Sequence, residues 1–472
     1  MEKKPGSNKN ILKITYVFAG VFFCLLLYLA YFLQFRREDV INNSYNARLE
    51  LFEEKVRRGS ILSNDGHVLA ETVVDSEGNE KRNYPYDTLF NHVVGYSTKG
   101  KTGLESLGNF YLLTSHENLL EQTIHEISGV KSPGDNVVTT LDVKLQQAAW
   151  DALGDRRGAV AVMEPDTGKV LAMVSKPGFS PNSIDEDWES LIHGDSQEGR
   201  LLNRATQGLY PPGSVFKIVT LLEYMRENPE DYMEFQFDCD GIYEVEDYEI
   251  RCYHQTAHGN QNISMAFANS CNGAFASMGQ QLDLKKTGQL AKELLFNQDL
   301  PISLPYSQSS YMIKEGAGTW EILQTFIGQG ETQVTPIHQL MLISAIANGG
   351  VLMKPYFIDH TESSSGETVK AFSPEAYGNL MTPEEAKALT GLLRQVVTDG
   401  TGSAVRTDQY PAAGKTGSAE FETGKETHGW FIGFAPADDP EIAVSVIVEE
   451  SGSGGKTAAP VARAIFDVYF SQ

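Results

Sequence analysis

The hydrophobic pattern of the chain changes sharply after its first 35 residues. Ile14 to Phe35 is a run of 22 uncharged, mostly apolar positions, which is long enough to cross a bilayer as one helix. The basic residues that precede this run are Lys3, Lys4, Lys9 and Lys13. Because positive charge favours the cytoplasmic side, the pattern predicts a cytoplasmic N-terminus over residues 1–13, a transmembrane helix over 14–35 and an extracytoplasmic remainder.

A cleaved signal peptide is the alternative interpretation of the same run. Such a peptide has a shorter apolar core and a small-x-small cleavage site. Here the run ends in Gln34-Phe35-Arg36-Arg37, which offers no such site. We therefore expect an uncleaved, single-pass anchor in the cell membrane.

Residues 36–140 carry only short patterns. In the stretch Arg58 to Ala70, two apolar runs flank Asn64-Asp65-Gly66, which is a hairpin signal. The rest has polar turns and few long periodic runs. This composition predicts a stalk and a small mixed α/β membrane-proximal domain, too poor in long helices to be a glycan-polymerising domain.

Longer elements follow from residue 141 onward. Helices are predicted at Val143–Leu153, in much of 184–300, at Gln339–Asn348, Pro383–Val397 and Ala458–Phe470, and strands at Gly158–Met163, Val170–Val174, Lys415–Phe421, Gly429–Phe434 and Glu441–Val448. Two early strands and three late ones indicate one sheet assembled from both ends of the domain. The expected fold class of residues 141–472 is α/β.

Charge excludes one class of partner. The formal net charge is -24 at pH 7, which repels a phosphate backbone, so we expect no nucleic acid partner. We predict no cofactor.

The first candidate for chemistry is Ser214, in the stretch Tyr210 to Lys217 that precedes an apolar helical run. A serine and a lysine one helical turn apart lie on the same face, and the amine can take the proton of the hydroxyl. The helix N-terminus adds free N–H groups where negative charge would develop. A capping serine beside a solvent-exposed lysine is the alternative, and the same spacing recurs at Ser128…Lys131 and Ser453…Lys456.

Two further motifs support a catalytic interpretation of the Ser-x-x-Lys tetrad, Ser214 to Lys217. Ser270-Cys271-Asn272 comes just before a predicted helix, and Lys415-Thr416-Gly417-Ser418 lies in a late strand. This order of Ser-x-x-Lys, Ser-x-Asn and Lys-Thr-Gly resembles that of penicillin-binding proteins and serine β-lactamases, except that Cys271 replaces the aspartate. Further stretches that resemble class B penicillin-binding proteins are Asn203-Arg204-Ala205, Gly328-Gln329-Gly330-Glu331, Val334-Thr335-Pro336, Trp430–Phe434 and Arg58–Ala70.

The resemblance implies a penicillin-binding-protein transpeptidase fold, an antiparallel sheet flanked by helices with a helical subdomain, behind the anchor and a membrane-proximal pedestal. It implies that Ser214 attacks a D-alanyl-D-alanine peptide and forms an acyl-enzyme, with Lys217 as the base. Ser270 and Asn272 would relay a proton and hold the substrate amide from the opposite wall. A β-lactam would acylate Ser214 in the same way.

The same resemblance assigns roles to the late strand. Lys415 and Thr416 would bind the substrate carboxylate, and the charge of Lys415 would lower the proton affinity of Lys217. The backbone N–H groups of the nucleophile and of Ser418 would form the oxyanion hole. Gly417 would leave room for substrate beside the strand.

The expected activity is that of a D,D-transpeptidase that cross-links the stem peptides of peptidoglycan. A D,D-carboxypeptidase and a non-enzymatic β-lactam sensor keep the same motifs and stay open as alternatives. A secreted β-lactamase would lack the anchor and the Arg58 region. The resemblance also implies a separate membrane glycosyltransferase of the SEDS family as partner.

The cysteines outside the membrane span leave three interpretations open. Cys239 and Cys252 flank a predicted hairpin loop, Asp240 to Arg251, and a disulfide between them is the simplest choice in an extracytoplasmic domain. Together with His258 and Cys271 they could instead bind zinc. Free, buried thiols are the third interpretation. We expect His428, near the Lys-Thr-Gly strand, to be structural.

Overall fold

The computed structural model describes residues 8–32, 53–194, 198–422 and 424–471. Its helices are α1 (Asn8–Tyr31), α2 (Asn91–Val94), α3 (Gly103–Leu107), α4 (Asn109–Leu112), α5 (Leu119–Ser128), α6 (Val143–Leu153), α7 (Ile184–His193), α8 (Arg204–Gln207), α9 (Lys217–Glu227), α10 (Ile263–Ala268), α11 (Asn272–Gln281), α12 (Leu284–Glu293), α13 (Thr319–Phe326), α14 (Pro336–Ala347), α15 (Pro383–Thr398), α16 (Gly454–Thr457) and α17 (Ala459–Tyr469).

The strands are β1 (Val56–Arg57), β2 (Ile61–Leu62), β3 (Val68–Val74), β4 (Glu80–Asn83), β5 (Ser132–Pro133), β6 (Asn136–Thr139), β7 (Gly158–Met163), β8 (Val170–Lys176), β9 (Gln236–Cys239), β10 (Ile242–Val245), β11 (Tyr248–Arg251), β12 (Gly259–Asn262), β13 (Val351–Met353), β14 (Ile358–Glu362), β15 (Thr368–Ala371), β16 (Ala376–Asn379), β17 (Ala413–Ala419), β18 (His428–Ala435) and β19 (Ile442–Val448).

Helix α1 contains the predicted membrane span. Its segment Ile11–Tyr31 has a mean hydropathy of 2.1 and no buried residues, and by length and composition it can cross a membrane. The helix begins before Ile14, at Asn8, and Ile11 and Leu12 extend its apolar segment toward the N-terminus. The last three residues of the predicted span, 33–35, and most of the predicted stalk lie outside the described residues.

The membrane-proximal domain is built on a six-stranded sheet in the order β15-β14-β6-β2-β3-β4. The predicted hairpin is confirmed, because β2 and β3 pair antiparallel around Asn64-Asp65-Gly66. The sheet also takes two strands from residues 358–371, since β14 pairs antiparallel with β6. Chain from beyond residue 140 therefore completes this domain.

A buried ionic cluster holds the domain together. The Glu105 side chain is fully buried and accepts hydrogen bonds from Arg58 Nε at 2.6 Å and Arg82 Nε at 2.7 Å. Burial opposes ionisation of this carboxyl, but the two guanidinium charges outweigh burial and lower its pKa.

The second sheet confirms the predicted assembly from both ends of the domain. Its order is β17-β18-β19-β7-β8, and every neighbouring pair is antiparallel. Both faces are covered, which explains the continuous apolar runs of β7, β8, β18 and β19. Val160 and Val444 pack in the same cluster as residues of α6 and α17, whereas Ala161 and Ile432 belong to the larger core that includes α14.

The prediction that residues 184–300 are mostly helical is wrong between 236 and 262. This region contains β9, β10, β11 and β12, each only four residues long, which is too short for an alternating pattern to distinguish a strand from part of a helix. The predicted loop Asp240 to Arg251 is a hairpin of β10 and β11. Strands β9 and β12 pair beside it, with Cys239 opposite Gly259.

Candidate active site

Ser214 lies in a 3-10 turn, Gly213–Phe216, that runs directly into the buried helix α9. The turn is fixed by its glycine: Gly213 has a φ of +54°, and a Cβ there would lie 2.8 Å from the carbonyl oxygen of Ser418. The Gly213 N–H donates to the carbonyl of Gly328 at 2.8 Å. Ser214 stays partly exposed and lines a cavity of about 420 Å³.

Lys217 is completely buried behind this cavity. Its Nζ donates to the carbonyl of Ser270 at 2.7 Å, to Ser270 Oγ at 3.2 Å and to Asn272 Oδ1 at 2.7 Å. Burial lowers the pKa of Lys217 to about 8, although negative charge on Cys271 and Cys252 opposes the shift. A substantial fraction of the amine is therefore neutral at physiological pH.

Lys415, the second buried lysine, reaches the same hydroxyl from strand β17. Its Nζ donates to Ser270 Oγ at 3.0 Å and to the carbonyl of Thr416 at 3.1 Å. Burial, together with the charge of Lys217, holds the pKa of Lys415 well below its usual value. Ser270 Oγ thus lies between two buried amines, and a positive charge on both at once is unfavourable.

The position of Ser270 comes from the end of helix α10. The Cys271 N–H donates to the carbonyl of Ala266 at 2.9 Å and the Ser270 N–H to that of Phe267 at 3.2 Å, which is the bond pattern of a Schellman cap. Ser270 occupies the left-handed position of this cap with a φ of +55°, where glycine is usual. A serine there is strained by about 1–2 kcal/mol and places a hydroxyl between the lysines.

The remaining predicted site residues lie in the same cavity. Asn272, Thr416, Gly417 and Ser418 all line it. Thr416 Oγ1 is 2.6 Å from Thr401 Oγ1. The eight predicted active-site residues are therefore brought together by the fold.

Gly417 lines the cavity, and its missing side chain also has a packing role beside the predicted one. A Cβ at this position would lie 3.0 Å from Trp430 Cβ and 3.2 Å from the carbonyl oxygen of Pro212. The missing side chain therefore lets β17 pack closely against the turn that carries Ser214. Close packing between these two elements sets the width of the site.

The alternative tetrads do not form such a site. Ser128 Oγ bonds to the Ile124 carbonyl within its own helix, and Lys131 Nζ donates to the Glu53 carbonyl and to Glu80. Ser453 does line the active-site cavity, but Lys456 is exposed.

Several lining residues were missed from the sequence, among them Arg251, Gln329, Thr401 and Glu420. Gln329 lies within a stretch already noted for its resemblance, and Glu420 follows the Lys-Thr-Gly strand directly. No sequence motif marks Arg251 or Thr401, because their place in the site depends on the packing of distant elements.

The predicted Cys239–Cys252 disulfide is wrong in this structure. Both are free cysteines, with their Sγ atoms 3.7 Å apart instead of the roughly 2.05 Å of an S–S bond. Pairing of β9 with β12 turns Cys239 toward His258 Nδ1, at 3.3 Å, and Cys252 Sγ lies 3.8 Å from Cys271 Sγ. Three thiols and one imidazole therefore converge.

These four side chains have the geometry of a zinc site. Their ligand atoms all lie within 4.8 Å of one another. Zinc–sulfur bonds of about 2.3 Å on a tetrahedron put sulfur atoms roughly 3.8 Å apart, which matches the two measured separations. Hydrogen bonds from the Cys271 thiol and from the backbone N–H groups of Gly273 and Asn272 lower the pKa of Cys252, whereas the same contact with Cys252 raises the pKa of Cys271. The residues present fit Zn²⁺.

The chain is similar to known proteins over almost its whole length. A family model described as the penicillin binding protein transpeptidase domain matches residues 158–467, and one for the penicillin binding protein A dimerisation domain matches residues 58–137. The peptidoglycan D,D-transpeptidase PbpA of Mycolicibacterium smegmatis is 31% identical, covering 89% of this chain and 90% of that protein. The peptidoglycan D,D-transpeptidase MrdA of Acinetobacter baumannii is 30% identical, covering 82% of this chain and 66% of that protein.

Solved structures give the same result. The ceftriaxone acyl-enzyme complex of penicillin-binding protein A from M. tuberculosis has a TM-score of 0.78 and 28% identity, covering 89% of this chain and 99% of that one. A D,D-transpeptidase domain from Eggerthella lenta has a TM-score of 0.79 and 30% identity, covering 88% and 99%. Fold and relatives define a serine acyltransferase of the kind that β-lactams acylate. The chain belongs to the penicillin-binding protein transpeptidase family.

Proposed function

We propose that this protein is a membrane-anchored peptidoglycan D,D-transpeptidase in which Ser214 carries the acyl group. The observation that supports these roles best is the contact of two buried lysines with one hydroxyl, Ser270 Oγ, at the wall of the cavity that Ser214 lines. Buried amines that share one hydrogen-bonding partner are set up to exchange protons.

In the first half-reaction, neutral Lys217 takes the Ser214 proton as Oγ attacks the carbonyl carbon of the penultimate D-alanine. The peptide C–N bond breaks, and the terminal D-alanine leaves after its nitrogen receives a proton through Ser270. The backbone N–H groups of Ser214 and Ser418 stabilise the oxyanion. Asn272 holds Lys217 in place and faces the substrate amide.

The substrate carboxylate has a matching partner in Lys415. Binding of the carboxylate raises the proton affinity of this lysine, so Lys415 becomes the charged amine and Lys217 the neutral one. Thr416, held by Thr401, donates a hydrogen bond to the same carboxylate. Substrate binding therefore assigns the two lysines their different protonation states.

Intact-protein mass spectrometry of the full chain with penicillin tests this function. The parent protein should gain one penicillin mass, mapped to Ser214, and Ser214→Ala should gain none. Ser128→Ala and Ser453→Ala, at the two other tetrads, are the matched controls and should label as the parent does. An adduct on Ser214→Ala would refute the assignment.

Turnover distinguishes the remaining activities. A D,D-transpeptidase releases D-alanine and forms an amide with an added peptide amine, a D,D-carboxypeptidase releases D-alanine without that amide, and a β-lactam sensor releases none. We expect the amide product.

The anchor and the partner are part of the same proposal. The apolar surface of α1 and the lysines before it support an N-terminus in the cytoplasm and a catalytic domain outside. A C-terminal reporter active in the cytoplasm would contradict this topology. By resemblance, the protein works with a SEDS-family membrane glycosyltransferase, and co-purification from membranes would test that partner.

A further inference from the structure

A second cavity adjoins the one that contains Ser214. It has a volume of about 510 Å³, and Glu420 lines both cavities. Two chain stretches also cross the boundary: Gln329 and Thr427 line the first cavity, whereas the next residues, Gly330 and His428, line the second. The two cavities therefore meet at the end of strand β17.

The second cavity has unneutralised negative charge. Of the three carboxylates among the described residues that line it, Glu449 is paired with Arg204 at 2.7 Å and Arg157 at 2.9 Å. Glu420 and Glu450 form no ion pair with any residue that the structure describes. Among the described residues, Glu420 is also the one carboxylate on the wall of the first cavity, so a cation that approaches Ser214 along this path meets it first.

A buried imidazole in the second cavity lacks a partner on one side. His428 is only 6% exposed, and its Nδ1 accepts the Glu450 N–H at 3.0 Å, so the ring proton lies on Nε2. That N–H has no hydrogen-bond acceptor within the described part of the chain. The ring is held by stacking on Phe421, with centroids 4.1 Å apart. The Nε2–H is not one of the fully enclosed polar atoms that lack a partner, so it opens on the cavity that His428 lines, where a ligand can supply the acceptor.

We propose that the second cavity binds the acceptor strand, with Glu420 holding the ammonium group of the attacking stem peptide and His428 donating to one of its carbonyl or carboxylate oxygens. This inference rests on the proposed function, because it names where the second substrate of that reaction binds. Carboxylate and ammonium groups form strong, charge-assisted hydrogen bonds. Because Glu420 lines both cavities, an amine bound to it lies beside the cavity that contains the acyl-enzyme.

The chemical step that follows is an aminolysis. The bound ammonium loses one proton to solvent, and the neutral nitrogen attacks the carbonyl carbon of the Ser214 ester. The new C–N bond forms as the ester C–O bond breaks, and the second nitrogen proton goes to Ser214 Oγ. The products are the cross-linked amide and the free serine.

The test measures how the acyl-enzyme partitions between aminolysis by the acceptor amine and hydrolysis by water. Full-chain protein is given a D-alanyl-D-alanine peptide donor and an acceptor tripeptide that carries L-lysine or meso-diaminopimelate, and the aminolysis and hydrolysis products are counted. The ratio of the two products reports on the acyl-enzyme alone, so any change in acylation rate cancels. Glu420→Gln should lower this ratio about tenfold or more by raising the acceptor KM, because the charge-assisted bond is lost.

Two further variants sharpen the result. Glu422→Gln removes the same charge from the same loop, where Glu422 is paired with Lys425 at 3.0 Å and lines neither cavity, so its ratio should equal that of the parent. His428→Phe keeps an aromatic ring but removes the Nε2 donor together with the Nδ1 acceptor of the Glu450 N–H, and should also lower the ratio. Equal ratios for Glu420→Gln and Glu422→Gln would overturn the inference while the proposed function stands, whereas a parent protein that is never acylated would overturn both.

Discussion

The hydroxyl of Ser270 provides the sharpest test of how the two lysines cooperate. Ser270→Ala removes the acceptor that Lys217 Nζ reaches at 3.2 Å and Lys415 Nζ reaches at 3.0 Å. Lys217 keeps the Ser270 carbonyl and Asn272 Oδ1, at 2.7 Å each. The base should therefore stay in place while its link to the second lysine is lost.

The size of the effect follows from these contacts. A hydrogen bond to a charged group contributes about 1.5–3 kcal/mol, and about 1.4 kcal/mol corresponds to a tenfold change in rate. One such bond lost in the transition state slows acylation by roughly 10- to 150-fold. Lys217→Ala removes the base itself and should slow acylation more than Ser270→Ala does.

Backbone strain requires a second variant. Ser270 has a φ of +55°, where serine and alanine are both strained and glycine is relaxed, so Ser270→Ala removes the hydroxyl alone and Ser270→Gly removes the hydroxyl and the strain. Both variants should be slowed to the same extent in the second-order rate constant for a fluorescent penicillin, measured by stopped flow. Ser453→Ala, which removes a hydroxyl from the same cavity wall, should react like the parent.

Two results would refute this reasoning. If Ser270→Gly reacts at the parent rate and Ser270→Ala does not, the loss comes from the backbone and the hydroxyl relays nothing. If both variants lose as much as Lys217→Ala, Ser270 positions the base instead of linking the lysines.

Three other predictions concern protonation, metal and stability. Because the pKa of Lys217 is lowered to about 8, the neutral amine forms above that pH, so penicillin acylation should rise with pH through a midpoint near 8; a midpoint near 10.5 would contradict a buried base. Purified protein should carry about one zinc per chain by elemental analysis, and Cys252→Ser should reduce it; a Cys239–Cys252 peptide in non-reducing mapping would contradict the metal. Glu105→Ala leaves two guanidinium groups buried without their partner and should lower the free energy of unfolding by about 3–5 kcal/mol, measured with denaturant. Glu80→Ala, in the more exposed pair with Lys131, should lower it by under about 1 kcal/mol. Equal losses would show that burial of Glu105 does not matter.

The elements of the fold that can be predicted from the sequence are those with a continuous hydrophobic pattern. Four of the five central strands, β7, β8, β18 and β19, carry apolar runs because they are buried on both faces, and the order of the five along the chain indicates one sheet. The site motifs were predictable because each lies on an element whose type could be inferred. Ser214 precedes a helix, Asn272 begins one, and Lys415 lies in a strand.

The other features depend on contacts between distant residues. Strand β14 joins the membrane-proximal sheet through pairing of Ile358 with Thr139, and no local pattern encodes that partner. The thiol cluster is similar, since the pairing of β9 with β12 makes Cys239 turn to His258. Glu420 was missed because a single exposed acid after a strand has no period to detect.

The one departure from the family motif joins two sites that would otherwise be separate. Cys271 lies between Ser270 and Asn272, the two residues that hold Lys217, and its thiol faces Cys252 in the cluster. Asn272 Nδ2 also donates to the carbonyl of Arg251 at 2.8 Å, so the hairpin that carries Cys252 contacts the site through its backbone as well. A metal that fixes the four ligands would therefore fix the backbone that presents the Ser270 hydroxyl to both lysines. On this argument, loss of the metal should slow acylation without any direct contact between the metal and the substrate.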